Sequence, residues 1–137
     1  MTRYTSHCEE ETDIIAAKLA HRVKTGDIIA LYGTLGAGKT AFCRGFIHAL
    51  TQKKIDVPSP TFTLLQIYDT PSFPIYHFDM YRLKSPDEAY EIGIEDAFAE
   101  GVSLIEWPEK MGKILPQKHI SVMIEIVDTK RIITIKG

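Results

Sequence analysis

Apolar positions recur along the chain at helical spacing first and increasingly at strand spacing later. Ile15, Leu19 and Val23 lie four residues apart, and Ser6 with Glu9 has capping-box spacing, so a helix is predicted from there to Lys24. Gly26 stops it, and residues 27–32 read as an apolar strand. A glycine-rich turn leads into a second helix over 39–51, with Phe42, Phe46 and Leu50 on one face. Pro58 and Pro60 make 57–61 a loop. Residues 63–68 and 75–81 read as strands joined by a turn over 69–74. Ser85 and Pro86 open a short helical region that ends near Gly101 and is interrupted at Gly93. A buried apolar strand follows over 102–107, and 119–127 with 131–136 predict a terminal hairpin turning at Asp128, Thr129 and Lys130. Early strand–helix alternation and a late strand cluster predict an α/β fold: a mixed, mostly parallel sheet flanked by helices, with a C-terminal β-hairpin.

Composition narrows the class. The 137 residues are expected to form one domain, 1–137, whose size allows a continuous core without disulfides or metal. At 45% hydrophobic and 25% charged the chain is neither disordered nor fibrous. No apolar run approaches the ~20 residues of a membrane helix. The polar, acidic segment 1–11 is expected to be neither a secretory nor a transit peptide. Cys8 and Cys43, far apart and outside any CxxC, point to a reducing compartment and a cytoplasmic location. A net charge of −2, with Lys53 and Lys54 the only adjacent lysines, argues against a protein that holds nucleic acid alone.

The chemistry is concentrated in residues 33–40, which match G-x-x-x-x-G-K-[ST] between an apolar strand and a helix, the context that a phosphate-binding loop requires. Gly33, Gly36 and Gly38 let the backbone curl so that its amides point at phosphate oxygens, and the helix N-terminus adds a positive dipole. Lys39 would reach the terminal phosphates and the Thr40 hydroxyl would ligate Mg²⁺. Gly33, Leu35, Gly36, Ala37, Gly38, Lys39, Thr40 and Ala41 are the candidate nucleotide contacts. The chain contains no asparagine, so neither a guanine-reading Asn-Lys-x-Asp element nor a protein-kinase catalytic loop exists, which favours ATP. Only Arg3, Arg22, Arg44, Arg82 and Arg131 are present, too scattered for the arginine lid of a small-molecule P-loop kinase, the alternative reading.

Such a loop needs a carboxylate at the end of a neighbouring strand. Glu106, closing the strand before Trp107 and Pro108, is the first candidate for metal or catalysis; a surface glutamate is the plain alternative. His77, Asp79 and Tyr81 share one face of a strand by its period of two, with Phe78 and Met80 on the other, which reads as a site or as a solvated face. Two zinc-type ligands there lack a third nearby. Ser59, Pro60, Thr61 and Phe62 form a loop in which Thr61 could sense a γ-phosphate. His7, His21, His48 and His119 read as structural or surface residues, and Trp107 as core or site wall.

In combination, the loop at 33–40, the run 59–62 (Ser-Pro-Thr-Phe), the run 77–82 (His-Phe-Asp-Met-Tyr-Arg) and the run 104–109 (Leu-Ile-Glu-Trp-Pro-Glu) resemble the TsaE (YjeE) family over nearly the whole chain. That family is the small bacterial P-loop ATPase of tRNA threonylcarbamoyladenosine synthesis. The resemblance implies a domain that binds ATP and Mg²⁺ and hydrolyses ATP weakly. It implies partnership with the TsaD and TsaB proteins, which modify adenosine 37 and would make most of the tRNA contacts. By position it assigns phosphate and metal roles to Lys39 and Thr40, and a switch role to Thr61. Asp79 and Glu106 take metal-linked or water-orienting roles, and Thr12 a place near the adenine. Thr34 stands where the family usually has Asp, and Ala41 where it often has Thr or Ser. The first departure is expected to touch rate rather than binding, because the backbone cradle is intact.

Overall fold

In a computed structural model describing residues 1–137, β1 (Thr2–Ser6) and α1 (Glu9–Ala20) precede β2 (Ile28–Tyr32) and α2 (Lys39–Thr51). The chain continues through β3 (Leu65–Tyr68), β4 (Ile75–Asp79), α3 (Glu88–Glu91), α4 (Ile94–Glu100) and β5 (Val102–Glu106). A 3₁₀ segment, Pro108–Ile114, leads to β6 (Ile120–Val127) and β7 (Lys130–Lys136). All seven strands form one sheet in the order β1-β7-β6-β2-β5-β4-β3. The central four, β6, β2, β5 and β4, pair in parallel, while β1–β7, β7–β6 and β4–β3 pair antiparallel. β1 therefore points with the central four, so five of seven strands share one direction, and β6–β7 is the expected hairpin.

Burial follows the alternation along each central strand. Val102 and Leu104 of β5, Ile75 of β4 and Ile29 and Leu31 of β2 face one core, which α1 and α2 close with Ile15, Leu19, Phe42 and Phe46. Ile28, Phe78, Met80 and Ile105 face the other, closed by Ala89, Ile94, Ala97 and Met111. Helices on both faces of a parallel sheet explain why its strands read as nearly continuous apolar runs.

Three local expectations change. Ser6 does not cap α1; it ends β1, and its hydroxyl donates to the Cys8 carbonyl at 2.8 Å. Glu11 instead accepts from the His7 amide at 2.6 Å, while Cys8 occupies the cap position without a side-chain bond. α1 ends at Ala20, and Val23 packs on the core from beyond it. β4 ends at Asp79, so Tyr81 lies outside the strand. The strand β1 carries no apolar alternation and exists because β7 offers its edge.

α1 crosses α2 at Gly45, where a β-carbon would stand 2.9 Å from Asp13 Cα and 3.3 Å from Ala16 Cβ. Gly→Ala in a free helix gains about 1 kcal/mol. Here the backbone of α1 must move, so Gly45→Ala should destabilise by about 1–3 kcal/mol, read as a lower urea midpoint at unchanged slope.

Candidate functional site

The C-terminal ends of β2, β5 and β4 converge on α2, where an open parallel sheet places its ligands. β2 turns at Gly33, where a β-carbon would sit 2.7 Å from the Ile124 carbonyl oxygen of β6, so only glycine fits. Gly38 caps α2 at φ 108°, ψ 22°, a left-handed conformation that side chains disfavour. Of the amides from Gly33 to Ala41, only that of Ala37 donates to a backbone carbonyl, that of Thr34 at 3.0 Å. The amides of Gly36, Gly38, Lys39, Thr40 and Ala41 are left as donors around the helix N-terminus, an anion cradle. The loop is braced from the far hairpin: Arg131 Nε donates to the Ala37 carbonyl at 2.9 Å.

Lys39 bends back over this loop. Its Nζ donates to the Gly33 carbonyl at 2.6 Å and lies 3.5 Å from the Trp107 ring centroid. Burial lowers the Lys39 pKa, opposed by the nearby carboxylates of Glu106, Glu109 and Asp79. Trp107 itself is held at φ 58°, ψ 50°, a strained conformation for a bulky residue, between Glu106 and Pro108. Its ring meets Tyr81 at 4.9 Å between centroids, so Trp107 is a wall of the site.

Both predicted carboxylates are buried, and both are held. Thr40 Oγ1 donates to the two Glu106 oxygens at 3.0 and 3.1 Å. His77 Nε2 approaches Glu106 Oε2 at 2.7 Å with both side chains buried. A carboxylate accepts, so Nε2 carries the hydrogen; Nδ1 is buried without a partner. Asp79 accepts from Thr61 Oγ1 at 2.9 Å and from the Tyr81 amide at 2.9 Å. The Asp79 amide donates to the carbonyl of Leu64, itself at positive φ, which ties the 59–64 loop to the end of β4. The polar face of β4 is therefore buried beneath α2 rather than solvated. Oxygen ligands of Mg²⁺ stand about 2.9 Å apart around an octahedron, and the Thr40–Glu106 spacing matches such an edge.

Lys39, Thr40, Thr61, Asp79, Glu106 and Trp107 line one cavity of about 290 Å³ together with Leu35, Gly36, Gly38 and Ala41. Thr12 lies around the corner of α2, buried and sharing a 2.6 Å hydrogen bond with Ser6, in a second cavity with Ala37, Gly38, Ala41 and Arg131. Leu35 is exposed at the lip. Gly33 and Ala37 shape the loop from beneath. The sequence marks His77 only as part of a strand face and as one of two zinc-type ligands, not as a partner of Glu106, and no local pattern marks Arg131. His7, His48 and His119 make only local bonds, to Glu11, Ile55 and Pro116.

A glycine cradle at the mouth of a parallel sheet, facing strand-end carboxylates, defines a nucleotide-binding protein of the P-loop class. The profile of the family "Threonylcarbamoyl adenosine biosynthesis protein TsaE" matches residues 6–133. A tRNA threonylcarbamoyladenosine biosynthesis protein TsaE of Rickettsia typhi is 48% identical over 134 residues, spanning 97% of this chain and 93% of the relative. That of Bacillus subtilis is 41% identical over 117 residues, covering 85% and 72%. The crystal structure of Bacillus subtilis YdiB superposes with a TM-score of 0.82 at 34% identity, covering 98% of this chain and 83% of that one. The chain belongs to the TsaE family.

Glu106 has the most to lose from a missing neighbour. His77→Leu strips one partner from a buried carboxylate and should cost about 1–3 kcal/mol in urea unfolding. His77→Gln, whose amide can still donate, should recover part of that loss.

Proposed function

We propose that residues 1–137 act as one cytoplasmic ATP-binding domain that hydrolyses ATP slowly. It would serve the machinery that installs threonylcarbamoyladenosine at position 37 of tRNA, alongside TsaD and TsaB. The observation that carries this reading is the pair of bonds Thr40–Glu106 and Thr61–Asp79, which join the phosphate loop, the 59–64 loop and two strand ends around one cavity. The family's printed role in threonylcarbamoyl adenosine biosynthesis supports the pathway. No helix is long and apolar enough to cross a membrane.

The free amides of Gly36 and of Gly38 to Ala41 take the phosphate oxygens, and Lys39 leaves the Gly33 carbonyl and the Trp107 ring to neutralise the terminal phosphates. Thr40 and Glu106 present hard oxygens to Mg²⁺, which when bound would offset the negative charge developing on the phosphates. Asp79, held by Thr61 and the Tyr81 amide, faces the same space and orients the attacking water. Thr61 thereby links loop position to the state of the γ-phosphate. Thr12 and Ala41 flank the side of the cradle where the nucleoside would lie. Absence of asparagine removes the guanine-reading element and supports ATP over GTP. A net charge of −2 supports tRNA contacts made mainly by the partners.

With TsaD, TsaB and tRNA present, wild type should sustain repeated threonylcarbamoyl transfer and release inorganic phosphate. Lys39→Ala, Asp79→Ala and Glu106→Ala should each lower phosphate release by about 100-fold or more. Thr61→Ala should lower it less, because Asp79 retains the Tyr81 amide. Multiple turnovers by Lys39→Ala at the wild-type rate would sink the reading. Transfer of labelled γ-phosphate to a metabolite, in place of its release, would point to a small-molecule kinase.

A further inference from the structure

The fold gives His77 two metal-ligating neighbours that its local sequence lacks. Cys43 comes from α2, one turn beyond Thr40, and faces the sheet where β4 and β5 carry His77 and Glu106. The thiol, one ring nitrogen of His77 and one carboxylate oxygen of Glu106 all lie within 4.8 Å of one another, and all three residues are buried. His77 Nδ1, fully buried, has no hydrogen-bond partner and can take the ring hydrogen from Nε2, which leaves the Nε2 lone pair, 2.7 Å from Glu106 Oε2, for a metal. We propose that Cys43, His77 and Glu106 form a zinc-binding site whose occupation takes one of the two Glu106 oxygens that Thr40 holds.

The donor set selects the metal. A thiolate and an imidazole favour zinc over the hard ions Mg²⁺ and Ca²⁺, which take oxygen ligands. Three protein ligands with one open position match the zinc sites that keep a water. Ligand atoms around tetrahedral zinc stand about 3.3–3.8 Å apart. The His77–Glu106 pair, now at 2.7 Å, must open by about half an ångström, and the thiol must close in by up to about 1 Å. Of the three ligands Glu106 also lines the phosphate cavity, which is the side of the site nearest solvent. Burial pushes the Cys43 thiol well above its ordinary value, so it keeps its proton until the metal displaces that proton to solvent. No electron moves in the exchange.

The inhibitory consequence rests on the proposed role of Glu106 in holding Mg²⁺; the binding itself does not. Zinc on Oε2 leaves Thr40 only Oε1 and sets a second divalent charge beside the magnesium position, so zinc and the magnesium nucleotide oppose each other at Glu106.

Cobalt reports the site directly. The nucleotide-free chain in magnesium-free buffer, titrated with Co²⁺, should develop a thiolate-to-cobalt absorption that saturates at one ion per chain and is displaced by Zn²⁺. Cys43→Ala should lose the band and bind Co²⁺ at least about tenfold more weakly, while Cys8→Ala, at the exposed thiol, should keep both. Cys43→Ser carries the same readout with nearly the native volume, should the smaller side chain unsettle the core. No band in wild type, a band that survives loss of Cys43, or one that vanishes with Cys8 overturns the site. Zinc should then slow phosphate release by wild type and spare Cys43→Ser; equal inhibition of both overturns the competition. If wild type releases no phosphate under any condition, the hydrolytic reading fails while the cobalt band still decides the zinc site.

Discussion

A carboxylate buried at the end of β5 is the constraint around which the site is assembled. Removed from water, Glu106 is tolerable only because Thr40 and His77 donate to it. Thr40 must therefore lie in the first turn of α2, and β4 must run parallel to β5 in the register that sets Asp79 beside Glu106. That register also places Asp79 under Thr61, so one demand of electrostatics aligns two strands, one helix and one loop.

The phosphate loop is over-determined in the same way. Gly33 is pinned against β6, Ala37 is held by Arg131 from β7, and Lys39 is folded onto Gly33 and Trp107. These contacts hold the loop in the form that aims its amides outward. Trp107 is strained at positive φ, and Lys39 is partly desolvated. A phosphate would offset the desolvation of Lys39 by offering its ammonium a charged partner in place of the ring.

Much of this was legible in the chain. The central strands β2, β4, β5 and β6, the break at Gly93 and the turn at Asp128 were all marked by periodicity or by residues suited to turns. Lys39, Thr40, Thr61, Asp79 and Glu106 do meet in one cavity. The misreadings share a cause. Ser6 fits a capping box as well as an edge strand, because both use small polar residues, and only the β7 edge decides between them. Period two continues past Asp79 to Tyr81, but the Tyr81 amide donates to the Asp79 carboxylate and the chain turns away from the sheet.

The sequence by itself determined the phosphate cradle, because that motif is the conformation of consecutive residues between a strand and a helix. It also set the identity of the carboxylates, since the apolar run before each one places it at a strand end. Tertiary structure decided who partners them. Thr40 and Glu106 are 66 residues apart, His77 and Glu106 are 29, and Arg131 lies 94 beyond Ala37. Separations of that length are closed by strand order and register, which follow from how two helical layers bury the faces of the sheet and not from any local spacing. The meeting of Cys43 with His77 belongs to the same class: neither residue carries a signal for the other until α2 lies across β4.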